Sequence, residues 1–186
     1  MRLWQLACWL LTLVVLSGCQ RASAADPTAT EVAVSLELHS LVFGPGETIP
    51  RSNTCDGADQ SPALSWAGVP AGTRSLALIV EDPDAPGGTF THWVIYNLPP
   101  DPASLAAGVP KQADLPNGGR QGRNDFRRVG YGGPCPPPGP AHHYHFHLFA
   151  LDAVLGLTPG GAPSELRSAM RGHILGESEL IGVYGR

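Results

Sequence analysis

Lysine is nearly missing from this chain of 186 residues, occurring once, at Lys111. Arginine does not make up the deficit: 12 Lys+Arg face 16 Asp+Glu, a formal charge of −4. That balance argues against a nucleic-acid partner or a polybasic membrane surface. Also absent are GxxxxGK[ST], GxGxxG after a strand, GxSxG and HExxH. The common nucleotide, serine-hydrolase and zinc-protease signatures are therefore missing. No internal repeat is present, and helix signals are few. The apolar run Leu3 to Leu16 is too short to favour a membrane span.

That run does a different job. It follows a charged start at Arg2 and ends in Leu16-Ser17-Gly18-Cys19, as an export signal ends in small residues. The LSGC sequence resembles the bacterial lipobox, in which the cysteine is lipidated and heads the mature chain. Cleavage of an ordinary signal after Ala22-Ser23-Ala24 is the alternative. Residues 1–19 are thus read as a lipoprotein signal with Cys19 as the lipidation site. Residues 20–32 are small, polar and aperiodic, a tether. Residues 33–186 are long enough for one domain with a real core. With the signal removed, 11 Lys+Arg remain against 16 Asp+Glu, a formal charge of −5. Export places the protein on the periplasmic side, and Gln20 after the cysteine points to the outer membrane of a Gram-negative host.

Of the four cysteines, Cys8 lies in the signal and Cys19 would carry lipid. Cys55 and Cys135 remain, and two cysteines in an exported domain most often pair. Free thiols or soft metal ligands are the other readings.

Strand signals dominate the domain. Val32 to Leu38 alternates, and Phe43-Gly44-Pro45-Gly46 turns the chain. Leu64 to Trp66, Ser75 to Glu81, His92 to Asn97, His143 to Leu151 and Leu180 to Tyr184 read as strands. Ser75 to Glu81 is continuously apolar up to its last residue, as a strand buried on both faces would be. Pro163-Ser164-Glu165-Leu166 opens like a helix, and His173 to Glu179 is read as a second short turn. The fold expected is mainly β, an antiparallel sandwich of two sheets with a few short helices near the C-terminus.

Three polar clusters sit at strand ends. Asp82-Pro83-Asp84-Ala85-Pro86 closes one strand, with two carboxylates on a stiff exit; an Asp-rich turn is the plainer reading. Thr91-His92-Trp93 begins the next, where Asp82 or Asp84 would approach His92. The third follows Gly133-Pro134-Cys135-Pro136-Pro137-Pro138, a loop whose consecutive prolines fix φ and supply no donors. It leads into His142-His143-Tyr144-His145-Phe146-His147, which period two divides. His142 and Tyr144 share the face of Phe146 and Leu148. His143, His145 and His147 share the other, where alternating histidines are a candidate zinc site or simply a packed row. Arg120, Arg123, Arg127 and Arg128 form a cationic loop, either solvated or attracting anions. A mouth built from Asp82, Asp84, His92, His142 and Tyr144, with the Gly132 and Gly133 amides, suits a small anion.

Taken in order, Cys55-Asp56-Gly57, Ser61 to Trp66, DPDAP at 82–86, THW at 91–93 and GPCPPPGPAHHY at 133–144 resemble the phosphatidylethanolamine-binding protein family, in its bacterial Raf-kinase-inhibitor-like branch. The terminal Leu180 to Arg186 fits as well, and the likeness spans roughly Leu38 to Arg186. The resemblance implies a two-sheet sandwich with a pocket for phosphate-like or carboxylate groups. Asp82, His92, Gly133, His142 and Tyr144 would line it, Asp84 and Pro86 would shape its rim, and His143 would stand outside. It implies no cofactor and assigns no metal and no catalytic residue. The functional expectation is a lipid-anchored, extracytoplasmic binding protein, an inhibitor or sensor, with its membrane contact through the N-terminal lipid. The alternative is an enzyme, either metal-dependent through His143, His145 and His147 or acid–base through Asp82 and His92.

Overall fold

An apolar run can be a strand only if both of its faces are covered, and Ser75–Asp82 (β3) has all eight residues buried. The computed structural model describes residues 35–186; the signal, Cys19 and the tether lie outside the described residues. Around β3 a five-stranded sheet forms in the order β6-β4-β3-β7-β8. Its other strands are Phe90–Leu98 (β4), Arg120–Gln121 (β6), His142–Leu151 (β7) and Ile174–Tyr184 (β8). A three-stranded sheet packs against it, built from Glu37–Ser40 (β1), Leu64–Ala67 (β2) and Ser104–Leu105 (β5) in the order β1-β2-β5. Every ladder is antiparallel.

Alternation divides the large sheet into two apolar faces. Leu78, Val80, Ile95, Phe146 and Leu148 meet Leu38, Leu64 and Trp66 of the small sheet in the main core. Ala77, Ile79, Val94, Tyr96 and Leu151 point the other way, under the helix Pro163–Met170 (α1). Pro163 starts α1 where a missing N–H costs nothing, and the Glu165 carboxylate accepts from the Ala162 N–H at 2.9 Å. Leu166 and Met170, one turn apart, seal the second core.

The expected two-sheet sandwich is present, with corrections at its margins. Among the described residues one α-helix lies near the C-terminus, and the other helical piece is a 3-10 turn at Arg51–Asn53, far from it in sequence. The turn expected over His173 to Glu179 is strand instead, since β8 starts at Ile174 and pairs with β7 along its whole length. An unpaired β7 edge would leave a row of backbone groups without partners, and that demand overrides local preference. β5 and β6 are two residues each and carry no readable period.

Cys55 and Cys135 are disulfide-bonded across 80 residues of sequence, with Cα atoms 5.4 Å apart. The bridge ties the proline loop to the segment after the 3-10 turn, as does the Cys55 N–H donating to the Pro134 carbonyl at 3.1 Å. Closing a loop of that size stabilises by about 4–5 kcal/mol on the chain-entropy account. Thiol titration of the unfolded, unreduced domain should find no free group, and reduction should lower the urea midpoint sharply.

Candidate functional site

Where β3 runs out of apolar residues it ends in Asp82, only 3% exposed. A charge so deep needs donors. Its Oδ2 accepts from His142 Nδ1 at 2.8 Å and its Oδ1 from the Asp84 N–H at 2.9 Å. The second bond is an Asx turn, the local structure that a proline-flanked Asp-x-Asp favours. Asp84 itself swings outward and accepts from both the amide and Nδ1 of His143, at 2.8 and 2.7 Å. That doubly bonded arrangement holds its carboxyl below the ordinary carboxylate range. Asp84 therefore clamps the strand-end loop to β7 and does not face the cavity.

His92 reaches the pocket because of a bulge. Val80 pairs with Trp93 and Glu81 with Thr91, leaving His92 as the extra residue. Strict alternation would have placed it with Val94 under α1. The bulge turns it inward, where its ring sits 5.2 Å from Phe90, 5.4 Å from Phe126 and 5.2 Å from Tyr144. Its Nδ1–H donates to the Gly132 carbonyl at 2.7 Å. Burial pushes the imidazole below its usual value, opposed in part by that hydrogen bond and by the charge on Asp82. Asp82 bonds His142 and not His92, so the acid–base pairing expected between Asp82 and His92 is replaced by Asp82 with His142.

Tyr144, one strand pleat beyond His142, is fully buried in the main core. Its hydroxyl lies close to Asp82 and to the Cys135 backbone but makes a well-formed hydrogen bond to neither. Burial first, then the Asp82 charge, pushes the phenol well above its ordinary value, so it remains an O–H donor. It is the one such orphan among the described residues. Neighbouring buried polar groups are met: Gln121 alone serves Trp93, Pro110 and Gln112.

Gly133 sits so close to the Asn53 carbonyl and Thr54 that an added Cβ would fall 2.5 Å from the former. Its amide donates to Asp59 Oδ1 at 2.6 Å, and the Gly132 amide to the His92 carbonyl at 2.9 Å. Both amides expected to face an anion are therefore committed to the frame. Gly133 lines a hollow of 170 Å³ with Asp59, Arg128 and Tyr131. The hollow of 160 Å³ beside it is walled by Asp82, Pro86, Phe90, His92, Pro136 and His142 among others. Phe126 and Cys135 belong to both.

Against this geometry stand the relatives. The family model for the phosphatidylethanolamine-binding protein matches residues 39–185. The chain belongs to the phosphatidylethanolamine-binding protein family. A "UPF0098 protein" of Methanothermobacter thermautotrophicus is 51% identical over 151 residues, covering 81% of this chain and 99% of that one. Among solved structures, Escherichia coli YbcL, described as a new member of the mammalian family, superposes with a TM-score of 0.76 at 33% identity, covering 82% of this chain and 99% of its own. A Mycobacterium tuberculosis protein, LppC, named as a candidate lipoprotein, is 37% identical over 166 residues, covering 88% of this chain and 80% of its own.

Within this family member, Asp82, Pro86, His92, His142 and Tyr144 gather at one end of the sandwich, with Gly133 in the adjoining hollow. Sequence reasoning missed the aromatic walls, Phe90 and Phe126, and the tether Asp59. Phe126 stood among the arginines of an apparently polar loop; its signal was an aromatic residue where none is needed for solubility. Those arginines divide: Arg120 bonds the Leu157 carbonyl at 2.9 Å, Arg128 borders the Gly133 hollow, and Arg123 and Arg127 line a separate cleft near the start of α1.

Because the folded value of His92 is depressed below the unfolded value of about 6.5, its contribution is complete above that pH. It is lost as pH falls below about 6.5, where the unfolded chain takes up the proton first. Urea midpoints followed from pH 7.5 to 5 should decline more steeply for the wild type than for His92→Gln. Equal slopes would remove His92 from the acid sensitivity.

Proposed function

We propose that this protein is a lipid-anchored, extracytoplasmic binding protein whose pocket holds a small anionic group of the phosphate or carboxylate type. The observation that carries the reading is the orphaned Tyr144 hydroxyl, a buried donor beside the Asp82–His142 pair. An unmet buried polar group costs about 1–3 kcal/mol, and an acceptor brought by a ligand recovers it. A volume of 160 Å³ is below the roughly 300–1,000 Å³ of drug-sized sites, which favours a headgroup-sized occupant. Binding is favoured over catalysis because no serine, threonine or lysine lines the hollow, and the Cys135 sulfur is tied up with Cys55. The anchor rests on Leu16-Ser17-Gly18-Cys19 and on the naming of the mycobacterial relative.

The hydrogen bonds impose a condition on the ligand. Each imidazole spends its Nδ1–H, His92 on a carbonyl and His142 on a carboxylate. A neutral ring then has only a bare Nε2 left, which is an acceptor. An anion beside Asp82 needs donors, and the buried His92 ring, held below its usual value, supplies one more only by taking up a proton. Affinity therefore rises as pH falls, by roughly tenfold per pH unit for one proton.

Phosphate or phosphoethanolamine at millimolar concentration should raise the melting temperature, with a larger shift at pH 6 than at pH 8. Sulfate, whose own charge is constant over this range, should show the same pH trend. Tyr144→Phe should leave the unliganded melting temperature unchanged or higher while shrinking the ligand-induced shift. Absence of any shift at pH 6 sinks the anion reading. Separately, Cys19→Ser should move the protein from the membrane fraction to the soluble one, and retention at the membrane would refute the lipid anchor.

A further inference from the structure

We propose that His145, His147 and Glu179 form a second site, for a zinc-type divalent cation, on the outer face of the five-stranded sheet. The proposal is independent of the anion pocket, because period two puts His142 and Tyr144 on one face of β7 and His145 and His147 on the other. It departs from the sequence expectation, which assigned no metal and otherwise grouped His143 with the other two histidines. His143 is spent on Asp84 through both its amide and its ring. The third ligand comes from the neighbouring strand, where Glu179 stands opposite His147 in register.

The three side chains already converge. Glu179 Oε1 lies 2.7 Å from His145 Nδ1 and 3.4 Å from His147 Nδ1, so two imidazoles compete for one carboxylate oxygen. The rings stack with centroids 5.8 Å apart and planes inclined by 22°. One donor atom from each residue falls within 4.8 Å of the other two. Tetrahedral zinc with bonds near 2.0–2.1 Å sets neighbouring ligand atoms about 3.3–3.5 Å apart, a closure within reach of small side-chain rotations. All three are part-exposed, so a cation can enter without opening the sheet.

The surrounding charge has the right sign. Glu81 of β3 stands opposite His145, and Glu177 precedes Glu179 on the same face of β8. Among the described residues the cation bordering the same groove is Arg167 of α1, and it is bonded to Glu81. Three carboxylates against one guanidinium leave a negative field for a dication. Two imidazoles and one carboxylate suit zinc, nickel or copper over magnesium or calcium. The set supplies three ligands, and the 480 Å³ groove bordered by His147, Arg167, Ser178 and Glu179 leaves the fourth position to water or a solute.

Zinc titration of the untagged full chain against a chromophoric chelator tests this. One zinc per chain is expected, undisturbed by magnesium. Glu179→Gln and His147→Asn should each weaken binding by at least about tenfold, since even the partners of ligands are worth that much. His143→Ala and Tyr144→Phe should bind as the wild type does. Cobalt(II) absorption of the wild type gives a second readout, an intense tetrahedral band that zinc displaces. No stoichiometric zinc, equal affinity in Glu179→Gln, or a loss in His143→Ala as large as in His147→Asn would each overturn the assignment.

Discussion

Asp82 closes β3 at a depth where the carboxylate can survive as an ion only if donors are brought to it. Much of the local architecture answers that demand. The strand cannot continue, because Pro83 offers no amide for a ladder, so the chain turns back and delivers the Asp84 N–H. The second donor is His142, the first residue of β7, and β7 lies beside β3 because it covers that strand's remaining edge. Removing His142 would leave the buried carboxylate with the Asp84 amide alone, and losing a partner from a buried polar group costs about 1–3 kcal/mol. Polar chemistry at the mouth and sheet pairing below it are thus one structure.

Holding the pocket open is a separate task, performed by the chain around Gly133. The disulfide, the Gly133 amide on Asp59 and the Tyr131 hydroxyl on the Asn53 carbonyl at 2.7 Å fix the loop to the opposite wall. Prolines 136 to 138 add stiffness without adding donors that would need partners. A frame fixed before the ligand arrives spares binding the entropy of ordering its walls. The Gly132 and Gly133 amides are fastenings of the same frame, spent on the His92 carbonyl and on Asp59.

The central strands, the late helix and the pairing of the cysteines were legible from period and motif, and the same motifs marked Asp82, His92, His142 and Tyr144, which the fold brings together as neighbours. What was not legible depends on partners distant in sequence. The inward turn of His92 comes from a bulge set by the register of β3 against β4, and no local pattern at Thr91-His92-Trp93 announces it. The role of Asp84 changed because its acceptor capacity is used by His143, 59 residues away. β8 was read as helical at its start because Ile174 to Glu179 lacks strict alternation, and only the exposed edge of β7 explains its strand. The histidine row looked like three equivalent side chains; their differences lie in what β8 and the strand-end loop place opposite each one.

The two faces of β7 show how far a residue's neighbours decide its chemistry. On the inner face an imidazole meets a carboxylate at 2.8 Å, both nearly buried, with an unmet phenol beside them. On the outer face an imidazole meets a carboxylate at 2.7 Å with water at hand and a second imidazole stacked behind. The pair distances are nearly the same, yet the demands differ. The inner pair is buried with an unmet phenol donor beside it, the setting on which the anion proposal rests. The outer pair has a surplus of lone pairs over donors and negative neighbours, the setting on which the cation proposal rests. Burial and the count of donors against acceptors, more than residue type, separate the two sites.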